Sequence, residues 1–213
     1  LGRRTREAYR LRLTADHRVR GVARKTRYSL ELDWTEAGQL QAGDEIVLNN
    51  HRALTGWSGQ GNEAEGYLIG LQAGDKRITP AIEQQSSAFA AGMLRGLFDA
   101  DGSVQGTQDK GVSIRLSQSD AELLEATQRM LLRLGIVSTL YRNRRPAGLS
   151  LLPNGQGGSA QYPTLAQHEL VISGDNLRLF ADRIGFADED KAERLEQALA
   201  SYRRELNRER FIA

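Results

Sequence analysis

The sequence predicts an α+β fold in which an all-β segment precedes a segment of mixed helices and strands. Three observations lead to this prediction. Apolar and polar residues alternate over 8–22, 28–34 and 40–48, which is the period of β-strands. Two later stretches, beginning at Gly66 and Gly92, carry a small residue at every fourth position, which is a helical spacing. After them, strand-like and helix-like patterns follow one another along the chain.

The composition is that of an ordinary globular protein, with 39% hydrophobic and 26% charged residues. The chain contains no cysteine, which excludes a disulfide framework, a cysteine metal site and a cysteine nucleophile. No apolar run is long enough to span a bilayer and no signal peptide is visible, so we expect no membrane partner and a cytoplasmic location. The net charge is only +2, but basic residues cluster near 3–6, 18–27, 142–145 and 203–210. Such clusters are typical of nucleic-acid binding, although the last is equally typical of a solvated surface.

The two glycine series predict a pair of closely packed helices. Gly66, Gly70 and Gly74 form one series, and Gly92 and Gly96 form the other. A glycine inside a helix costs roughly 1 kcal/mol relative to alanine, so a repeated glycine needs a structural reason. Small residues at this spacing share one stripe of the helix and allow two backbones to approach closely.

Each of the two stretches ends in an aspartate, Asp75 or Asp101. A carboxylate at a helix C-terminus meets the negative end of the helix dipole, and two such carboxylates brought together would repel each other. A divalent cation would remove this conflict, and Mg²⁺ prefers carboxylate oxygens. The simpler alternative is that Asp101-Gly102 is only the turn of a hairpin.

The stretch from Leu94 to Gly102, Leu-Arg-Gly-Leu-Phe-Asp-Ala-Asp-Gly, resembles the signature of the LAGLIDADG homing endonucleases. A poorer copy runs from Leu68 to Lys76. The resemblance implies αββαββα half-domains whose motif helices pack at a pseudo-twofold interface. It also implies that Asp75 and Asp101 bind the Mg²⁺ ions that cut double-stranded DNA.

The segment from Lys76 to Pro80 is similar to a Lys-x-Ile-Pro element that precedes the second motif in intein endonucleases, with Thr79 as an extra residue. The resemblance places Lys76 near the cleavage centre, where it would polarise the attacking water or stabilise developing phosphate charge. The alternative for Lys76 is an ordinary surface lysine.

An earlier stretch resembles the Hint domain, the self-splicing fold of inteins. Thr14-Ala15-Asp16-His17 is similar to its Thr-x-x-His motif, and 40–48 is similar to the strand that follows it. The resemblance implies that His17 protonates the scissile peptide with support from Thr14, and that the host protein's exteins are partners. A single histidine in a strand is otherwise more often structural.

These resemblances divide the chain into four parts. We expect a partial Hint domain at 1–50, a linker at 51–63, a LAGLIDADG endonuclease domain at 64–205 and the start of a strand returning to the Hint domain at 206–213. Asp75 and Asp101 stand too close in the chain for a complete first half-domain, so we expect that half to be truncated as written. The missing segment was either deleted or belongs to the protein and is absent from this sequence. Splicing needs a nucleophile at the first residue and a His-Asn pair at the end. A chain that runs from Leu1 to Ala213 shows neither, so we expect either that its ends are missing or that splicing has been lost.

The second half-domain can be followed throughout in the sequence. We expect a helix over 87–98 and then a hairpin with strands at 103–106 and 112–117. The next helix has Ser119 as its N-cap, runs to Leu134 and ends at Gly135. After it we expect strands at 137–142 and 169–173 around a Gly/Pro-rich loop, and helices at 176–184 and 188–204. A two-stranded ribbon fits the DNA major groove, so polar residues that alternate along these strands are candidates for DNA contacts. They are Gln105, Gln108, Lys110, Arg115, Arg142 and Arg144.

Taken together, the sequence predicts a monomeric, intein-encoded, site-specific double-strand DNA endonuclease. From Ala37 onward it most resembles inteins found in ribonucleotide reductases. Two alternatives stay open. The first is a LAGLIDADG nucleic-acid-binding protein that has lost cleavage, and the second is a remnant that acts only in splicing.

Overall fold

A computed structural model describes residues 2–4, 9–48, 56–72, 77–107, 111–153, 155 and 157–201. The described residues fall into two compact units, one before residue 50 and one after it. Asp75, Lys76, Gln108, Lys110 and the predicted returning strand at 206–213 lie outside the described residues.

The first unit is built from short antiparallel strands. They are β1 (Gly2–Arg4), β2 (Arg10–Arg12), β3 (Arg18–Lys25) and β4 (Leu30–Glu36). β1 pairs with β2 and β3 pairs with β4. The segment after β4 returns to β3, because Val47 N–H donates to Arg20 O and Val22 N–H donates to Glu45 O, both at 2.9 Å. The all-β character predicted for this segment is therefore observed among its described residues.

The second unit contains all the helices of the described residues and one larger sheet. The helices are α1 (Glu63–Leu71), α2 (Pro80–Glu83), α3 (Ser87–Asp101), α4 (Ala121–Arg133), α5 (Asn176–Arg183) and α6 (Glu189–Ser201). The strands are β5 (Gly102–Thr107), β6 (Gly111–Gln118), β7 (Thr139–Arg145), β8 (Gly148–Pro153), β9 (Ser159–Thr164) and β10 (Gln167–Ser173). From α3 to α5 the order is the predicted αββαββα, with one extra hairpin.

The main sheet has the antiparallel strand order β5-β6-β10-β7. Ile114 lies between Val104 and Ile172 in register, and Leu116 lies opposite Leu170. Directly opposed residues of an antiparallel pair share one face of the sheet, and successive residues alternate between faces. The sheet therefore has an apolar face that packs on α3, α4 and α5, and an opposite face that we call the polar face. The polar face carries Ser103, Gln105, Ser113, Arg115 and Glu169.

The core lies between the apolar face and the helices. Phe98 and Phe180 are fully buried and meet edge to face, with 5.0 Å between ring centroids. Aliphatic side chains fill the space around them: Leu94, Leu97, Ile114, Leu116, Leu124, Leu131, Ile136, Leu170 and Ile172. The apolar positions of the second half-domain thus form one core that holds α3 firmly against the sheet.

Two elements differ from the sequence-based predictions. The Gly/Pro-rich loop contains the β8–β9 hairpin, and β7 continues to Arg145 instead of ending at Arg142. Helix α4 is capped by Asp120 and not by Ser119, because the Asp120 carboxylate accepts from Glu122 N–H at 2.8 Å and from Leu123 N–H at 3.2 Å. Gly135 ends this helix as predicted, with a φ of 78° that favours glycine.

The segment before α1 is fixed to the start of α3. Trp57 donates from its indole N–H to Gln85 O at 2.7 Å, and Ser86 N–H donates to Gln60 O at 2.9 Å. Between residues 56 and 86 the described chain contains α1 and α2 and no strand. None of the described helices is long and apolar enough to cross a membrane.

Candidate functional site

Helices α1 and α3 pack so closely that their contact stripe admits only glycine. A Cβ placed on Gly66 would lie 2.1 Å from Phe89 O, and one on Gly70 would lie 2.1 Å from Met93 O. On the facing helix, a Cβ on Gly92 would lie 2.0 Å from Glu63 O, and one on Gly96 would lie 2.3 Å from Tyr67 O. Real Cβ atoms essentially never come this close to another atom. The described part of the predicted helix pair is therefore confirmed; Gly74 lies outside the described residues.

Helix α3 ends at Asp101, the second predicted metal ligand. The Asp101 side chain is exposed and accepts a hydrogen bond from Gln118 Nε2 at 2.7 Å. Gln118 comes close because Leu116, two residues before it, pairs with Gly102 at the start of β5. Gln118 carries no sequence motif of its own, but the β5–β6 hairpin, which returns β6 to the end of α3, was a signal that could have identified it.

The first aspartate of the motif, Asp99, has a different environment from Asp101. It is only 9% exposed, and its carboxylate accepts from Ala187 N–H at 3.1 Å and from Asp188 N–H at 3.3 Å. Burial and a hydrogen bond to Asp99 raise the pKa of Tyr67, which lies on α1. Asp99 therefore joins α1, α3 and the start of α6.

Lys191 brings a positive charge to the same end of α3. Its ammonium donates to Phe98 O at 3.2 Å and also to Asp99 O. These carbonyls lie in the last turn of the helix, where the dipole is negative. Lys191 was missed in the sequence analysis, because no local pattern links a residue of α6 to the end of α3. The structure thus places an amide and an ammonium near the end of α3 that carries Asp101.

The end of α3 offers one described carboxylate, that of Asp101, to a hard cation. The Asp101 carboxylate is exposed, and the Gln118 side chain beside it offers an amide oxygen after rotation. Asp75, the other predicted ligand, lies outside the described residues, and described α1 ends at Leu71 with Gln72 as its C-cap. Within the described ranges, no group of three or more His, Cys, Asp or Glu is positioned to hold a metal ion. The described chain contributes one carboxylate of the predicted pair.

Three of the predicted DNA-contact residues share the polar face. Gln105 is exposed and donates to Ser103 Oγ at 2.9 Å. Arg115 donates from Nε to Ser113 Oγ at 3.0 Å, and its NH1 lies 3.4 Å from Glu169 Oε1. Arg144 lies 3.4 Å from Glu169 Oε2 and 5.1 Å from the centre of the Tyr141 ring. Gln108 and Lys110, which fall between β5 and β6 in the sequence, lie outside the described residues.

Arg142 differs from the other candidates, because it lies on the helix side of the sheet. Its guanidinium forms an ion pair with Glu125 of α4. Simple alternation would place Arg142 and Arg144 on one face, but Asn143 has a φ of 52° and the register with β10 shifts there. This bulge in the β7–β10 pairing separates the two arginines. The expectation that Arg142 joins Arg144 in contacting DNA is corrected accordingly.

The predicted splicing residues lie in the turn between β2 and β3. His17 N–H donates to Thr14 O at 3.3 Å, and His17 O accepts from Ala37 N–H at 2.8 Å. A hydrogen bond from the Thr14 hydroxyl lowers the pKa of Asp16. Thr14 and His17 therefore share one compact turn.

The apolar side chains of the two motif helices differ in burial. Leu94, Leu97 and Phe98 of α3 are fully buried, whereas Leu68 of α1 is 63% exposed and Leu71 is 36% exposed. Of the two motif helices, only α3 lies on a sheet within the described residues, and Leu68 and Leu71 of α1 stay exposed there.

Comparison with known proteins identifies the region around α3. Residues 88–185 match the family model described as a LAGLIDADG-like domain. This range begins in α3, contains the whole main sheet and ends just after α5. The match therefore covers the second half-domain with its Asp101.

The chain is also similar to segments of three proteins with unrelated names. It is 34% identical over 103 residues to the ribonucleoside-diphosphate reductase NrdEB subunit alpha of Bacillus subtilis, covering 48% of this chain and 9% of that protein. It is 38% identical over 117 residues to the probable translation initiation factor IF-2 of Thermococcus kodakarensis, covering 54% and 8%. It is 32% identical over 133 residues to the DNA polymerase of Thermococcus litoralis, covering 62% and 7%. The chain spans less than a tenth of each relative.

Proposed function

Because the chain carries a LAGLIDADG-like domain at residues 88–185, we propose that it is the site-specific double-strand DNA endonuclease of an intein. Three proteins of unrelated name are each similar to the chain over 103, 117 or 133 residues, which is less than a tenth of their own length. A segment common to unrelated proteins is typical of an inserted element and not of a host activity. The endonuclease domain extends over 64–205.

The observation that carries this proposal is the glycine-packed pair of α1 and α3, which ends in an exposed carboxylate. The close pairing of α1 and α3 makes Asp75, which follows α1 in the sequence, the proposed partner of Asp101 at the end of α3. A divalent cation held by these two residues, Mg²⁺ in our proposal, would supply an activated water and charge neutralisation for phosphodiester hydrolysis.

The other groups near the end of α3 have supporting roles in the proposed reaction. Gln118 orients the Asp101 carboxylate through their 2.7 Å hydrogen bond. Lys191 offsets the negative end of the α3 dipole and places a positive charge where the DNA phosphate is expected. We propose that the ammonium group of Lys76 adds a second positive charge beside that of Lys191 and polarises the attacking water.

The polar face of the main sheet is the proposed DNA-binding surface. Arginine bonds guanine bidentately in the major groove and glutamine bonds adenine, which gives Arg115, Arg144 and Gln105 the chemistry for reading bases. Gln108 and Lys110 fall between β5 and β6 in the sequence, and we propose that they contact bases or phosphates beside this face. Contacts to phosphates fix the register of a protein on the duplex, and contacts to base edges carry the sequence information.

The first unit is proposed as the partial Hint domain at 1–50, joined through the linker at 51–63. Its paired short strands and the turn that holds Thr14 and His17 support this assignment. The segment at 206–213 would complete this domain as a returning strand. The exteins of a host protein are then the partners of this unit, with His17 at the scissile peptide.

The proposal can be tested with a supercoiled plasmid library that carries a randomised insert. The full chain is incubated with the library and MgCl₂, and new double-strand ends are captured by an adaptor and sequenced. We expect ends to accumulate at one recurring sequence, and none when EDTA replaces magnesium. Ends that are scattered at random, or equally frequent with EDTA, would contradict the proposal.

A second candidate function is binding of DNA without cleavage. The exposure of Leu68 and Leu71 favours it, because a complete first half-domain would cover this side of α1 with its own sheet. In the same library experiment this function predicts selective retention of one sequence without new ends. A gel-shift measurement on the retained duplexes separates it from the endonuclease.

A further inference from the structure

Glu169 is a carboxylate in the middle of the surface that we assign to DNA. It lies on β10 between β6 and β7, opposite Ser117 on one side and Tyr141 on the other. The residue is only 8% exposed, yet it is on the polar face. A buried carboxylate on a surface that meets a polyanion lowers affinity for phosphate, so its presence there needs an explanation.

Two arginines converge on this carboxylate from neighbouring strands. Arg115 NH1 lies 3.4 Å from Glu169 Oε1, and Arg144 Nε lies 3.4 Å from Glu169 Oε2. One carboxylate thus bridges β6 and β7, with one oxygen for each guanidinium. Its burial reduces screening by solvent, which makes these ion pairs stronger than pairs on an open surface.

Further contacts fix the direction of each guanidinium. Arg115 Nε donates to Ser113 Oγ at 3.0 Å, and Arg144 lies 5.1 Å from the centre of the Tyr141 ring. A guanidinium has more N–H groups than these contacts use, so each arginine keeps donors for a base edge. Both side chains are held in place before DNA arrives, which lowers the entropy that they lose on binding.

We propose that Glu169 is a specificity-determining positioning residue, which holds Arg115 and Arg144 as a rigid pair for reading base edges and keeps them from binding phosphates of any sequence. This inference rests on the proposed DNA-binding function and deepens it. Glu169 acts through the two arginines and not by contact with the DNA. Glu169 thereby lowers the affinity of the polar face for DNA of any sequence and increases its discrimination between sequences.

The test compares Glu169→Gln with wild type on DNA. A randomised duplex library is selected once with the wild-type chain, and dissociation constants are measured for a selected duplex and for a random duplex. The ratio of the two constants is expected to fall about tenfold in Glu169→Gln, which is within the range for losing a bidentate base contact. The salt dependence of binding to the random duplex is expected to steepen by about one unit for each arginine released.

Glu125→Gln is the matched control, because Glu125 pairs with Arg142 on the helix side of the same sheet. It removes the same charge and should leave the ratio unchanged. Glu169→Asp is a second variant that keeps the charge but is too short to bridge two strands. It should lose discrimination without gaining affinity for the random duplex, and it replaces Glu169→Gln should that variant fail to fold.

The outcomes separate the two proposals. An unchanged ratio in a folded Glu169→Gln or Glu169→Asp variant would overturn the role of Glu169, while selective binding by the wild-type chain would still support the DNA-binding function. No binding of any duplex by the wild-type chain would overturn the DNA-binding function itself. An equal loss of discrimination in Glu125→Gln would also contradict the inference, because charge alone would then explain the effect.

Discussion

Gly70 shows how a single residue sets the spacing of the helices at the candidate site. A methyl group there would lie 2.1 Å from Met93 O and 2.8 Å from Leu97 N, both of which are backbone atoms of α3. Backbone atoms cannot rotate away as a side chain can, so the two helices would have to separate. The ends of α1 and α3 would then move apart as well.

We predict that Gly70→Ala destabilises the protein by about 2 kcal/mol, because overpacking outweighs the gain in helix propensity of roughly 1 kcal/mol. Urea unfolding followed by circular dichroism measures the change. Gly148→Ala is the control, because a Cβ at Gly148 has no atom within 4 Å. A Gly70→Ala variant as stable as Gly148→Ala would show that α1 and α3 are not in close contact.

Residues with a local signal could be predicted from the sequence, and residues with distant partners could not. The glycine spacing indicated the helix contact, because each glycine in a helix carries a known cost. Asp99 and Lys191 gave no such signal, since their contacts join α3 to residues 187–191 far along the chain. Gln118 is an intermediate case, because its contact with Asp101 can be predicted only once β5 is paired with β6.

At the scale of elements, Asn143 decides which side chains of β7 reach the polar face. It is the one residue other than glycine with a positive φ among the described residues, at 52°. Its N–H donates to His168 Nδ1 at 3.0 Å, which keeps β7 paired with β10 across the irregularity. Asparagine tolerates this conformation better than most residues, whereas a β-branched side chain does not.

We predict that Asn143→Val weakens binding to a selected DNA duplex about tenfold, because Arg144 loses its position on the polar face. The strained backbone should also reduce the free energy of unfolding by about 1–2 kcal/mol. Asn143→Gly is the control, since glycine adopts a positive φ without strain. Fluorescence anisotropy with a labelled duplex measures both affinities, and equal weakening in the two variants would argue against the role of the bulge.

Elements of the second half-domain were largely predictable, and their exceptions have physical causes. The hydrophobic period located α3, α4 and the strands of the main sheet. The β8–β9 hairpin was missed, because its segment is rich in glycine and exposes Leu149 and Leu151 instead of burying an apolar face. The face of Arg142 on β7 was missed, because simple alternation with Arg144 cannot anticipate the left-handed residue Asn143 between them.

At the scale of the whole molecule, the two units differ in what supports their assignment. The second unit contains the matched domain, one continuous core and the end of α3 with Asp101. The first unit has the predicted all-β character, and its role in splicing stays a prediction. Proteins of very different names contain segments that are similar to part of this chain.

The most direct test of the central claim compares Asp101→Asn with wild type in DNA cleavage. The substrate is a supercoiled plasmid that carries the site recovered from the library, in the presence of MgCl₂. Asp182→Asn is the matched control, because Asp182 is an exposed aspartate on α5. We predict that Asp101→Asn cuts at least about a hundredfold more slowly while binding the site as wild type does, since a lost metal ligand removes several kcal/mol of transition-state stabilisation. Cleavage by Asp101→Asn at the rate of Asp182→Asn would contradict the account.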